Sequence, residues 1–153
     1  ELYPPQEEPK SDVTGLHNLT MLQQQGVYDA EFVRRAYVGH MADLFRAVRF
    51  GTSEAHGKAN LLQFNFLREK NVLRHDSSTG PFSIDYEALV QANRQLATDI
   101  LTIQAEGSYQ KANDLLTRYG AERPELNASI ARLTTVPVDI RPRHAVLEKM
   151  RNW

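Results

Sequence analysis

The sequence predicts a mainly α fold: a single multi-helix, bundle-like domain over residues 1–153 with one small β-hairpin near residues 72–84. Three observations carry that prediction. Between Asp29 and Val48, apolar residues recur at three- and four-residue steps, the spacing that gathers side chains on one helix face. Isolated glycines at 26, 51, 107 and 120 close the periodic segments, so helix follows helix through short links, as in antiparallel packing. Only 72–84 departs from the helical rhythm, with two short apolar runs around a cluster of turn residues.

Taken in order, residues 1–6 are expected to be extended by their prolines, and the first helix to open at Glu7-Glu8-Pro9-Lys10-Ser11-Asp12. Proline suits a first turn, and acidic side chains there complement the helix dipole. Val13, Leu16, Leu19 and Leu22 carry this helix to about Gln25, and Gly26 ends it. Asp29 reads as the next cap, with Glu31 in the first turn. Phe32, Val33, Ala36, Tyr37, Met41, Leu44, Phe45 and Val48 then form the most regular apolar face, expected to be the spine. Gly51 stops that helix, because glycine takes a left-handed end position without steric penalty. Thr52 or Ser53 is the expected cap of the helix that follows, with Glu54 at its positive end. His56 then lies in the first turn and Leu62, Phe64, Phe66 and Leu67 in the core, up to about Lys70.

Val72-Leu73-Arg74 and Phe82-Ser83-Ile84 flank the turn residues 76–81 as a hairpin. Asp85 caps a long helix to Glu106, with Leu89, Ala92, Leu96, Ile100 and Ile103 on one face. Ser108 caps a short one carrying Ala112, Leu115, Leu116 and Tyr119. Pro124 starts another with Leu126, Ile130 and Leu133, ending before Pro137. Val138-Asp139-Ile140 reads as extended, and 143–153 as a last turn or two.

Composition narrows the function. The hydrophobic share of 41% and charged share of 24% are those of a globular chain. A net charge of −1 with no basic block argues against a nucleic-acid partner or an anionic membrane surface. No apolar run approaches the ~20 residues of a membrane helix. Without cysteine there are no disulfides or thiolate metal sites. The chain opens without an initiator methionine or a signal-like segment, as expected of a piece of something longer, and both cytoplasmic and exported (periplasmic) placement fit it.

No two of the histidines at 17, 40, 56, 75 and 144 stand at helical ligand spacing, so the usual helical zinc pair is missing. No nucleophile elbow is present. Phe45, Phe50, Phe64 and Phe66 read as core, His17 and His40 as hydrogen-bonded structural histidines. Asn60 and Asn65 are either polar functional groups or exposed positions. Glu7 and Glu8 read either as a dipole-compensating helix start or as a metal ligand with its supporting carboxylate. His56, beside two glycines and Lys58 at a helix start, either packs or serves a site where donors converge.

Two motifs decide between these readings. Glu7-Glu8-Pro9-Lys10-Ser11-Asp12 is similar to the EExxA(D/E) helix of the dipeptidyl-peptidase III family of zinc metallopeptidases, with Ser11 in place of alanine. Ala55-His56-Gly57-Lys58-Ala59, preceded by Arg49-Phe50-Gly51, resembles that family's AHxxA segment, particularly in bacterial members reading RFG…AHG(R/K)AN. The resemblance implies that Glu8 is a zinc ligand and that Glu7 orients a ligating histidine. It also implies that His56 stabilises the oxyanion as metal-activated water attacks a peptide bond. Lys58 and Asn60 fall on the substrate side, Asn60 where many members carry an arginine. The other two ligands, on an HExxxH helix, would lie upstream of Glu1 in the same parent chain. With one ligand of three, the isolated chain is expected neither to hold zinc tightly nor to hydrolyse peptides. The rival reading is a non-catalytic helical binding or scaffold domain on the same fold.

Overall fold

The structure is a computed structural model and describes residues 3–76, 80–139 and 144–150. Among them seven helices and one hairpin follow in the order α1 (Pro4–Gln24), α2 (Ala30–Val48), α3 (Ala55–Glu69), β1 (Leu73–His75), β2 (Phe82–Ile84), α4 (Tyr86–Glu106), α5 (Tyr109–Tyr119), α6 (Pro124–Ala131) and α7 (Ala145–Met150). The strands pair antiparallel, Leu73 opposite Ile84 and His75 opposite Phe82. The mainly α architecture and the hairpin are those expected, although 77–79 of its turn lie outside the described residues.

The caps follow the sequence where a short polar side chain precedes a helix. Asp29 accepts from the Phe32 N–H at 2.6 Å, Asp85 from Ala88 at 3.0 Å and Ser108 from Lys111 at 3.3 Å. Two boundaries differ. Helix α1 starts at Pro4, not Glu7, with prolines in the first two positions, where an amide N–H is not needed. Pro9 therefore lies inside the helix, and burial of Pro5, Gln6 and Pro9 offsets the lost backbone bond. Helix α3 is preceded by Glu54, which makes no side-chain cap, while Thr52 donates instead to Glu122 Oε1 at 2.7 Å. Near the C-terminus, Val138 and Asp139 bend rather than extend. The expected strand's Ile140 and the end residues 143 and 151–153 fall outside the described set.

The spine is α3, not α2. Ten of its fifteen residues, from Gly57 to Leu67, are buried, against five of nineteen in α2. Helix α3 is covered on nearly every side, its buried Asn60, Gln63 and Asn65 each held by hydrogen bonds, whereas α2's clean amphipathic stripe marks a helix with one wet face. Helices α1, α2, α4 and α5 pack around α3. At its centre Phe45, Phe64 and Phe82 meet edge-on at 5.2–5.6 Å between ring centroids. Phe50, expected in this core, is 52% exposed, its ring beside the Arg46 guanidinium at 5.1 Å.

Candidate functional site

The site is built where the first turn of α3 meets α1. Gly51 has φ +110° and its carbonyl lies over that turn. A Cβ on Gly57 would come within 1.9 Å of the Gly51 oxygen, so Gly57 is required by backbone approach and Gly51 by its positive φ. This close crossing sets where α3 begins and so where His56 stands.

Glu8 and His56, forty-eight positions apart, come together: Glu8 Oε2 lies 3.1 Å from His56 Nδ1. His56 is 76% exposed and Glu8 37% exposed, so the pair is solvent-accessible and its remaining atoms are open to a ligand. Nδ1–H donates to the carboxylate, which leaves Nε2 as the free ring nitrogen.

Glu7 turns away. Lys10 Nζ reaches both its carboxylate oxygens at 2.6 Å, and Gln104 donates to Oε2 at 3.3 Å. The Lys10 hydrogen bond, against a smaller opposing effect of burial, holds the Glu7 carboxyl below its ordinary range. Lys58 is exposed. Asn60 and Asn65, read as functional or exposed, are both buried, at 6% and 2% exposure. Asn60 donates Nδ2–H to the His56 carbonyl at 2.8 Å, one turn back. Asn65 is structural and joins the far end of α3 to the segment after α5.

A second tie between α1 and α3 lies beside the first. Gln63, 1% exposed, donates Nε2–H to Asp12 Oδ2 at 2.8 Å. A carboxylate only accepts, so the Gln63 amide is oriented, and its Oε1 accepts from His40 Nε2–H at 3.1 Å. Burial lowers the His40 pKa against the opposing pull of Asp12. The expected hydrogen-bonded role of His40 is thus met. The spacing held a signal: Asp12 is one turn beyond Glu8 and Gln63 two turns beyond His56, so each lies on its partner's face.

A cleft of about 420 Å³ adjoins His56, lined by Asp43, Arg46, Ala47, Phe50, Gly51, Glu54, Gly57 and Asn60. Its α2 residues were not foreseen, because they lie on the face that the apolar periodicity assigns to water.

Two solved structures share this arrangement of elements. The structure of DPP III from Caldithrix abyssi superposes with a TM-score of 0.92 at 38% identity, over 98% of this chain and 29% of that one. The chain has a dipeptidyl-peptidase III-like fold. Dipeptidyl-peptidase III from Corallococcus sp. strain EGB gives 0.87 at 32% identity, over 97% of this chain and 28% of that one. Nudix hydrolase 3 of Arabidopsis thaliana is 38% identical over 155 aligned residues, covering 99% of this chain and 20% of that protein. No family model matches. The dipeptidyl-peptidase III-like chain thus spans under a third of the solved structures and a fifth of the curated relative.

Proposed function

We propose that the chain is the C-terminal part of the catalytic region of a longer zinc-dependent peptidase resembling dipeptidyl-peptidase III, and that it forms one wall of the peptide cleft. The observation that supports this most is the 3.1 Å approach of Glu8 to His56. These are the two residues that the two separate motifs single out, and a purely structural acidic helix start gives no reason for them to meet.

The donor chemistry fits a partial metal site. Among the described residues no three His, Asp or Glu side chains come together, so this chain offers fewer ligands than a zinc ion takes. Glu8 is suited to be one of them: a carboxylate more than a third exposed, held by a neutral-capable imidazole and not by lysine or arginine. The remaining ligands would come from the upstream part of the same parent, and the isolated chain would be inactive. When bound, zinc supplies Lewis acidity at the scissile carbonyl.

The chain's own residues then do the positioning. With a proton on each ring nitrogen, His56 keeps Nδ1–H on Glu8 and donates Nε2–H to the substrate carbonyl oxygen as negative charge builds there. Asn60 fixes the first turn of α3 through the His56 carbonyl. The Asp12–Gln63–His40 series keeps the Glu8 face of α1 against the His56 face of α3. Glu7 would hold a ligating histidine of the parent from outside the ligand set, and Lys58 would meet the peptide.

The test is made in the full parent. Glu8→Ala is expected to empty the zinc site, read by metal analysis; full zinc content would remove Glu8 from the ligands. His56→Ala is expected to keep the metal and lower kcat by about a hundredfold, the loss typical of one oxyanion donor. Unchanged turnover would return His56 to a packing role.

A further inference from the structure

We infer that Arg49 and Thr52 are positioning residues for His56: they clamp the link between α2 and α3 onto the segment 121–137, and the clamp sets where the first turn of α3 stands. The consequence for turnover rests on the peptidase reading above; the placement of the ring does not.

The link needs an outside hold. No residue from Arg49 to His56 is buried, and α3 starts without a side-chain cap, so neither packing nor capping fixes this stretch. It must nonetheless keep the Gly51 carbonyl against Gly57. Among the described residues, the side chains of 49–55 make hydrogen bonds at two points only, Arg49 and Thr52. Both reach a segment 70 to 88 positions further on.

Arg49 closes the end of α2 with one guanidinium on three carbonyls. Its Nη2 donates to Val136 at 2.7 Å and to Leu133 at 3.4 Å, and Nη1 to Pro137 at 3.3 Å. A rigid fork of donors shared among several acceptors fixes a direction as well as a distance. Thr52 Oγ1 donates to Glu122 Oε1 at 2.7 Å, and Asn127 Nδ2 donates to Oε2 at 3.1 Å, so both oxygens of that carboxylate are held. The Thr52 bond, and then the Asn127 bond, keep the Glu122 carboxyl below its ordinary range, so it remains an acceptor at neutral pH.

The segment they grip is itself anchored. Asn65, on the far turns of α3, donates to the Ala121 carbonyl at 2.7 Å and accepts from Arg123 Nε at 2.6 Å, on either side of Glu122. Leu126 of α6 is wholly buried. The firmly bonded end of α3 thus reaches its first turn by a path outside the helix, through Glu122 and Thr52.

The His56 ring is followed by NMR in the histidine-labelled full parent, assigned by its absence in His56→Ala, with zinc content and peptide hydrolysis measured on the same samples. Thr52→Val removes the hydroxyl at nearly constant volume and Thr52→Ser restores it. Arg49→Met keeps the stem without donors and Arg49→Lys returns a cation to it. The ring resonance is expected to move in Thr52→Val and Arg49→Met, to recover in Thr52→Ser and to recover in part in Arg49→Lys. Where the ring moves, kcat should fall about tenfold with KM and zinc content unchanged, since a misplacement of ~1 Å costs up to about a hundredfold. An unmoved ring in both removal variants overturns the inference, and so does a displaced ring that Thr52→Ser fails to restore. Should Arg49→Met not fold, the threonine pair decides alone. A parent that cleaves no peptide, but whose ring moves and recovers as described, ends the peptidase reading and leaves the clamp standing. Turnover lost in His56→Ala but kept in both removal variants, with the ring unmoved, ends the clamp and leaves the peptidase reading.

Discussion

The two ends of α3 treat polar groups in opposite ways. At the C-terminal end Asn65 is 2% exposed and every side-chain atom that can bond is used. It donates to the Tyr119 and Ala121 carbonyls at 2.7 Å each and accepts from Arg123 Nε at 2.6 Å. Below it Glu69 accepts from Tyr119 Oη and from Arg118 Nη2, both at 2.9 Å. At the N-terminal end the His56 and Glu8 side chains bond each other in the open, and Asn60 uses one donor on the His56 carbonyl. One buried atom at the C-terminal end has no partner among the described residues, Arg68 Nε, although the same guanidinium donates from Nη1 to the Leu73 carbonyl at 2.6 Å. A network so nearly filled fixes one packing arrangement, whereas exposed, half-used groups are a place for something else to bind. On one helix, the nearly filled network and the exposed pair stand about two and a half turns apart.

The largest test of that contrast is Asn65→Leu. It strands the buried Tyr119 carbonyl and takes a partner from the Ala121 carbonyl and from the half-exposed Arg123 guanidinium, and a loss of about 3 kcal/mol is expected in urea unfolding. Asn60→Leu, at the open end, gives up one hydrogen bond within its own helix and should cost about 1 kcal/mol. Equal losses at the two asparagines would break the comparison.

Next comes Gly57→Ala. Helix propensity alone favours alanine by about 1 kcal/mol. The new Cβ would, however, stand 1.9 Å from a backbone oxygen that has no rotamer to escape into, and overpacking of this kind costs up to about 3 kcal/mol. The clash wins, with a net destabilisation of about 2 kcal/mol and a displaced His56 ring resonance. A stabilised variant would show that Gly51 and Gly57 do not hold the site.

The sealed end also has a pH signature. Burial first, and then the Glu69 carboxylate it bonds, push the Tyr119 hydroxyl up from 10.0 to about 12. The folded state thus keeps a proton that the unfolded chain releases near its ordinary pKa. This contribution to stability is complete below pH 10 and is lost as the pH rises towards 12. Unfolding followed against pH should show that decline in the parent sequence and lose it in Tyr119→Phe. A tyrosine absorbance titration should contain one late step that the variant lacks.

Most of the fold was legible because its signals are local. Asp29, Asp85 and Ser108 cap the helices they precede, and Pro124 starts the helix expected of it. What was not legible depends on distant packing. Nothing near Pro9 announces that Pro5 and Gln6 will be buried and draw the helix back to Pro4, so the acidic pair appeared to open a helix it in fact sits within. Periodicity promoted α2 as the spine, since in α3 polar residues are buried along with apolar ones, Asn60, Gln63 and Asn65 among them, and break the rhythm. The site divides in the same way: Glu8 and His56 stood in recognisable motifs, while Asp43, Arg46 and Phe50 line the cleft from positions that read as solvent or core. Glu7 illustrates the limit of reading an acidic pair as a unit, because adjacent helical residues point about 100° apart and its partners are Lys10, Gln104 and the Tyr3 hydroxyl.

The smallest expected effect sharpens the comparison most. Glu8 and His56 form an ion pair only when the imidazole carries both protons, and both side chains are open to water. Accessible pairs of this kind contribute about 0–1 kcal/mol. Glu8→Ala, His56→Ala and the double variant, unfolded in urea near neutral pH, should give a coupling energy within that range and single losses of the same size. The matching cycle at the sealed end, with Glu69→Gln and Tyr119→Phe, couples a carboxylate to a buried hydroxyl and should exceed it, at about 1.5–3 kcal/mol for a charge-assisted hydrogen bond. If the Glu8–His56 coupling is the larger of the two, the pair holds the fold together, and its two members are no longer candidates for a site kept open at a cost to stability. If it is the smaller, their meeting across forty-eight positions does little for the fold, and a role in binding is what remains to account for it.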